Sequence, residues 1–484
     1  MNKKVILVVD FGTSNVRANL ISLIDGTILA SAAEKNVMIS PATGFSELDP
    51  NQLWDNSVLS VRRALNEAER FGSISIEAVT FSYFGDNLIP VDQNGQPVYN
   101  CILSFDARGQ EQAEEINATL TPRKLVEIVG TEYEAFHTGS KILYLKQKMP
   151  EVFEKCAYFY TIQQLVNYRL GLAPMNDETM ACRKNMYDLS KRCWSEPLIQ
   201  VIGISNAQLG EVVPTGAIIG KIDYYGDVKL GNDIPVIIGG HDSDLGIIGL
   251  GLSDENEDCI ANVTGTFDHI GYLANGNVNL RAENENISMI SYLGPLPNTS
   301  VCLGAFPTSG ALLEWFMREI NGDTSQLAYS RLWEATTFDG TGTVMVYPQL
   351  SSSDGAFSGI GLATKRIDLF RAVIESLTFE TRRIIDECKR TKNGIIRRVR
   401  IGGGTAQSPE WLQLRADIMG IVFESTANLE VSSLGAAILA AKEIGVYSDI
   451  LHASQAMVQV KDIYAPNFKI GSRYEDMYQN YLLQ

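Results

Sequence analysis

The sequence predicts an α/β protein of two similar domains, and three observations carry that prediction. Val5 to Val9 is a short apolar run rich in β-branched residues, which reads as a buried strand. Asp10-Phe-Gly-Thr-Ser-Asn15 breaks it with turn formers, Val16 to Leu23 resumes as a second strand, and Asp25-Gly26 supplies the next turn. The same strand, Gly-Thr turn and strand return at Asp258 to Leu273, with Gly265-Thr266 where Gly12-Thr13 stood. At 484 residues the chain has room for two domains with substantial cores.

The chemistry of the two turns points to a phosphate gripped from two sides. Gly12 lets the backbone approach, and the turn N–H groups with the Thr13 and Ser14 hydroxyls donate to oxygens. Asp10, at the end of a central strand, is placed to hold a magnesium ion directly or through its waters. On residues alone an ordinary hairpin tip explains the stretch equally well.

Composition excludes several partners. A net charge of −17 argues against nucleic acid and anionic membrane surfaces, but it does not exclude a phosphorylated small molecule, whose charge magnesium, turn amides and helix N-termini meet locally. The seven cysteines are scattered and odd in number, with no CxxC pair, which fits reduced thiols in a cytoplasmic protein. The basic start is followed by only five apolar residues before Asp10, too few for a signal core or a membrane span. A homodimer is compatible with the chain, whose assembly the sequence leaves open.

The Asp10-to-Arg17 and Val263-Thr-Gly-Thr266 turns resemble those of the FGGY carbohydrate kinases, the sugar-kinase branch of the actin and Hsp70-like ATPases. That resemblance implies two ribonuclease-H-like α/β domains with an interdomain catalytic cleft: a sugar-binding domain over 1–250 and a nucleotide-binding domain over 251–484. It carries over ATP and Mg2+ as cofactors and a small sugar as substrate. Gly12, Thr13, Ser14, Asn15, Arg17, Gly265 and Thr266 become nucleotide-side residues, and Asp10 and Asp242 the metal-side carboxylates.

In chain order, Asp49 and Pro50 are a good N-cap and first helical residue, and Leu53, Val58, Val61 and Leu65 keep helical spacing. Ile76 to Phe81 reads as a strand ending in Ser82-Tyr-Phe-Gly-Asp-Asn87. The resemblance places Asp86 and Asn87 against the sugar; the alternative is an exposed turn before Asn94-Gly95. Asp106 and Arg108 match a substrate-side segment, or pair with each other across a strand end. Phe136 matches an aromatic beside the sugar, while His137 reads as structural. Tyr160 to Gly171 is a helix ending in glycine. Asp177, Glu178 and Thr179-Met-Ala-Cys182 look like a substrate-side loop with altered residues. Gly216 to Lys221 has three residues between its glycines and Ile222 after its lysine, so it is a turn and a strand rather than a P-loop.

Val236 to Ile238, two glycines and His241-Asp242 deliver a carboxylate to a strand tip at the start of a helix, where free N–H groups favour the anion. Phosphoryl transfer needs positioning, charge neutralisation and a base for the hydroxyl proton. Asp242 sits where the resemblance puts that base, and it also suits a helix cap. His241 is expected to shape the pocket, and Asp244 to point elsewhere.

In the second half, a helix opening near Gly310 and Glu314 is expected to face the nucleoside. Phe370 to Cys388 is an amphipathic core helix. A strand from Val399 ends in three glycines; the resemblance makes Gly403, Gly404 and Ser408 nucleotide-side residues, and Ser408 is also expected to cap a helix with Pro409 first. Leu434 to Ala441 is a small-residue helix able to pack closely, and Ile463 to Gln484 reads as a docked C-terminal helix. The expected reaction is ATP-dependent phosphorylation of a sugar hydroxyl. Within the family the opening run and Gly240-His-Asp-Ser243 look most like L-fuculokinases, implying fucose metabolism, with xylulokinase- or gluconokinase-type activity as the alternative. An ATP-driven chaperone or filament protein of the same fold is the competing class.

Overall fold

The computed structural model describes residues 3–253, 255, 258–265, 268–306, 309–348, 355–392 and 394–483. It divides into two compact units. One comprises Met1–Asp254, Leu273–Cys302 and Glu430–Gln459; the other comprises Glu255–Tyr272, Leu303–Leu429 and Val460–Gln484.

In the first unit, β1 (Lys3–Phe11) and β2 (Asn15–Ser22) form the expected antiparallel hairpin, and β3 (Ile28–Lys35) pairs with β2. On its other side β1 runs parallel to Ile74–Tyr83, which is followed in the sheet by Val228–Ile237 and Ile218–Tyr225. Val5 to Val9 are fully buried, as a central strand covered on both faces requires. Helix α1 (Pro50–Ala68) packs Leu53, Val61, Ala64 and Ala68 onto that sheet, and the Asp49 carboxylate accepts from the Asn51 N–H at 2.8 Å.

The second unit repeats the pattern. Cys259–Thr264 is antiparallel to Asp268–Asn275 and parallel to Arg398–Gly403. The latter is parallel to Val422–Thr426, which carries Val460–Tyr464 antiparallel at the edge. Strand for strand, this is the order β2, β1, Ile74–Tyr83, Val228–Ile237, Ile218–Tyr225 of the first unit. Helix Arg366–Thr391 buries Phe370, Val373, Ile374, Leu377, Ile384, Ile385 and Cys388, the face read from its periodicity.

Three local expectations change. Residues 84–87 do not form an exposed turn, because Phe84 and Asn87 are buried. Ile463 and Tyr464 belong to the edge strand, and the terminal helix runs only from Phe468 to Leu482, burying Tyr474, Met477, Tyr478 and Tyr481. Ser408 holds the N-cap position of Pro409–Met419 without a side-chain capping bond. Among the described residues, no helix is long and apolar enough to cross a membrane.

Candidate active site

Sheet register gathers the first unit's chemistry. Asp10 lies opposite Arg17 on β2 and opposite Ser82 on the parallel neighbour, and Ser82 in turn pairs with Gly240. This row of strand ends brings Asp10 beside the start of helix Asp242–Gly249. Gly239 makes the bend possible: its φ is +71°, and a Cβ there would lie 2.1 Å from the Phe81 carbonyl oxygen. Asp242 is the first helical residue and His241 the N-cap, so Asp242 is not a capping side chain. Its carboxylate accepts from the Ser243 N–H at 2.6 Å and is 36% exposed.

Burial pushes the Asp10 carboxyl up to about 6; the Asp242 charge adds to the rise, while the Ser82 hydroxyl and Arg17 oppose it. The Asp242 charge is thus close enough to act on Asp10, and two neighbouring carboxylates suit a divalent cation. Arg17 is also ion-paired with Glu430. At the hairpin tip the Gly12 N–H closes the turn on the Asn15 carbonyl at 3.0 Å. The Asn36 amide takes the Gly12 and Thr13 carbonyls at 2.9 and 3.3 Å, turning them away from the rim where the Ser14 side chain is exposed.

A second group of polar side chains surrounds Asp86, which adopts a left-handed φ of +51°. Its carbonyl accepts from the Lys141 ammonium at 2.5 Å and its carboxylate from the Asn185 amide at 3.1 Å. Burial pushes the Asp86 carboxyl up, against the pull of Arg183, Lys141 and His241. Burial also lowers Lys141, to about 8, with Asp86 and Asp106 opposing. His241 Nε2 lies against Gly85, where a Cβ would come within 2.3 Å of it. His241 Nδ1 meets the Ser243 hydroxyl at 2.8 Å, and its backbone N–H donates to Thr179 at 2.9 Å. Asp244, expected to point elsewhere, is buried in an ion pair with Arg183 at 2.7 Å. Burial raises its carboxyl, but Arg183 and His241 outweigh that and hold it at about 2.

Other sequence-predicted residues are committed to the fold. The Asn87 amide donates to the Phe84 carbonyl at 2.7 Å and accepts from the Ile162 N–H at 2.8 Å. Arg108 binds Asp106 at 2.8 Å and Glu47 at 2.5 Å, with side-chain exposures of 0% for Arg108 and Asp106 and 1% for Glu47. This closed ionic triad, roofed by the Phe45 ring 4.2 Å from the guanidinium carbon, turns no charged group outward. Phe136 is half-buried, edge-on to His137 at 4.5 Å. His137 accepts from the Glu134 N–H at 3.1 Å, and burial depresses it to about 3, so it is neutral and structural.

In the second unit, Thr264 bonds the Gly402 carbonyl at 3.0 Å and accepts from the Thr405 N–H at 3.2 Å, stitching its hairpin to the glycine turn. Gly403 has φ +101°, and a Cβ there would lie 1.9 Å from the Thr264 carbonyl oxygen; a Cβ on Gly404 would meet open space. A Cβ on Gly310 would lie 3.5 Å from the Gly265 carbonyl oxygen, so among the described residues the Gly265 turn has Gly310 on one side and, through Thr264, Gly403 on the other. Glu314 is exposed and pairs with Arg318 at 3.7 Å; Ser408 meets the Tyr329 hydroxyl at 3.5 Å. Thr266 lies outside the described residues.

The first unit holds two neighbouring carboxylates and the second places glycines around a hairpin turn, each a feature that phosphoryl transfer uses. A sequence profile of the FGGY carbohydrate kinases, N-terminal domain, matches residues 5–249, and the C-terminal domain profile matches residues 304–444. The chain belongs to the FGGY family of carbohydrate kinases. It is thus an ATP-dependent carbohydrate kinase with two domains of the actin and Hsp70-like fold.

The xylulose kinase of Lactococcus lactis subsp. lactis is 27% identical over 498 residues, covering 98% of this chain and 95% of that protein. Among solved structures, the xylulose kinase of Lactobacillus acidophilus superposes with a TM-score of 0.87 at 21% identity, covering 99% of this chain and 97% of its own. Gluconate kinase from the same organism gives 0.86 at 21%, covering 100% and 97%. These relatives are named for xylulose and gluconate, and the likeness of the opening run to L-fuculokinases gains no support from them.

Arg183, Asn185 and Tyr292 were not legible as site residues. Arg183 and Asn185 directly follow the Thr179-to-Cys182 run, which was their one sequence signal.

Proposed function

We propose that the chain phosphorylates a hydroxyl of a small ketose or related polyol, with Asp242 as general base. The observation that carries the proposal is the partly exposed Asp242 carboxylate at a strand tip beside Asp10. Residues 1–250 take the sugar and 251–484 the nucleotide, with Gly12, Thr13, Ser14 and Asn15 of the first hairpin and Gly265, Thr266, Gly310, Gly403 and Gly404 meeting the phosphates and nucleoside. Asp86, His241 and Phe136 face the sugar; Asn87, Asp106 and Arg108 hold the fold around it, because the Asn87 amide is bonded within the chain and Asp106 and Arg108 are buried in their ion pair.

The Asp242 oxygen accepts the proton as the sugar oxygen bonds to the γ-phosphorus and the bridging oxygen leaves with ADP. Asp10 and Asp242 would hold Mg2+, which supplies charge neutralisation for the phosphates. Turn amides donate to the phosphate oxygens, and the chain works in the cytoplasm.

D-xylulose is the first ketose to test, since several relatives are named for it, and L-fuculose the second, on the look of the opening run. ADP release is measured with D-xylulose, L-fuculose, L-rhamnulose, gluconate and glycerol. Sugar-dependent turnover with one of the ketoses supports the proposal. ATP hydrolysis unaffected by any of them contradicts it.

A further inference from the structure

Arg183, Lys184 and Asn185 are three consecutive polar residues, 5%, 0% and 0% exposed, and each side chain serves a different part of the first unit. Buried polar groups persist where they are paired, so their partners define what the segment does. Lys184 is the anchor: its side-chain nitrogen bonds the Phe159 carbonyl at 2.7 Å, Gln164 at 2.7 Å and the Leu209 carbonyl at 3.2 Å, tying the segment to three others.

On one side of the anchor, Arg183 grips Asp244, two residues beyond the proposed base, and its guanidinium lies 4.4 Å from the centre of the Tyr292 ring. On the other side, Asn185 donates to the Asp86 carboxylate at 3.1 Å and accepts from the Tyr292 hydroxyl at 3.1 Å. The Tyr133 hydroxyl donates to its backbone carbonyl. Asn185 and Asp86 both adopt left-handed backbone, with φ of +53° and +51°. Each is held there by bonds from elsewhere in the unit.

We infer that Arg183-Lys184-Asn185 is a positioning clamp that sets the Asp86 loop against the start of the Asp242–Gly249 helix. The inference rests on the kinase reading for its catalytic meaning, but the clamp itself is a structural device that can be tested without turnover. Arg183 and Asn185 act through Asp244 and Asp86 and are positioning residues.

Asn185→Gly removes the amide while suiting the left-handed backbone, so the variant folds. Arg183→Met is combined with Asp244→Asn so that no unpaired charge stays buried. Hydrogen exchange on the full chain is the first readout. Asn185→Gly should speed exchange of Phe84–Leu88 by about 10-fold and leave Asp242–Gly249 unchanged, and the double variant should do the reverse.

With Mg-ATP and D-xylulose, or whichever panel sugar is turned over, Asn185→Gly should raise the sugar KM about 10-fold at nearly constant kcat. The double variant should lower kcat about 100-fold, and Arg183→Lys should recover part of it. Exchange unchanged in both segments, or raised equally in both by either variant, overturns the clamp. A wild-type chain that phosphorylates no panel sugar contradicts the kinase reading, and the exchange result then decides the clamp by itself.

Discussion

Gly249 and Gly435 bring two helices of the first unit into backbone contact. A Cβ on Gly249 would lie 1.8 Å from the Val431 carbonyl oxygen, and one on Gly435 would lie 1.8 Å from that of Leu245. Backbone cannot swing aside as a side chain can, so the helix that begins at Asp242 is fixed by the absence of side chains at this crossing. Gly435→Ala should cost about 1–3 kcal/mol. It should lower kcat by up to about 100-fold through displacement of the base. Calorimetric unfolding and steady-state kinetics check the pair of effects; an unchanged kcat would show that this crossing does not position Asp242.

Arg108→Met leaves Asp106 and Glu47 as buried charges without their shared cation. The expected loss is about 3–5 kcal/mol. At a temperature where the variant is folded, the sugar KM should match wild type, because the triad turns no group outward. A large KM increase without a fall in Tm would return Arg108 to the sugar.

How much of this was legible varies with the range of the interaction. Both hairpins were readable because β-branched runs and turn residues are local, and Asp242 because two glycines deliver it to a strand tip. The Asp106–Arg108 pair was visible at a spacing of two, but its third member, Glu47, is 61 positions away. Arg183, Asn185 and Tyr292 find partners 61 to 107 positions distant, beyond any periodicity. The strand Val460–Tyr464 escaped notice because it is a largely exposed edge without inside-outside alternation.

Gly12→Val tests the first hairpin. A Cβ at this position would already be 3.1 Å from the Asn15 carbonyl oxygen, and the branched methyl groups would crowd the tip. ATP affinity should fall at least about 10-fold with sugar affinity unchanged in the absence of nucleotide. Titration calorimetry showing unaltered ATP affinity would remove the tip from the phosphate site.

Glu375 gives the second unit a pH signature. Burial raises its carboxyl from 4.5 to about 7, while the Tyr474 hydroxyl, donating at 2.9 Å, pulls the other way. The folded state therefore holds the proton more tightly than the unfolded chain, and stability falls as pH rises from about 4.5 to about 7. The total is up to about 3 kcal/mol. Glu375→Gln keeps the acceptor for Tyr474 and should unfold at a higher temperature than wild type at pH 8, the gap closing near pH 4.5. A gap independent of pH would contradict this assignment.

In the proposed reaction the Asp242 carboxylate takes the proton from the sugar hydroxyl. The most direct test of that role is kcat of Asp242→Asn under saturating Mg-ATP and sugar, with folding and ATP affinity measured on the same preparation. Asp242→Asn should lower kcat about 10²–10⁴-fold, with the affinity for ATP in the absence of Mg2+ and the unfolding temperature close to wild type. A folded variant that keeps more than about a tenth of wild-type kcat would contradict that role.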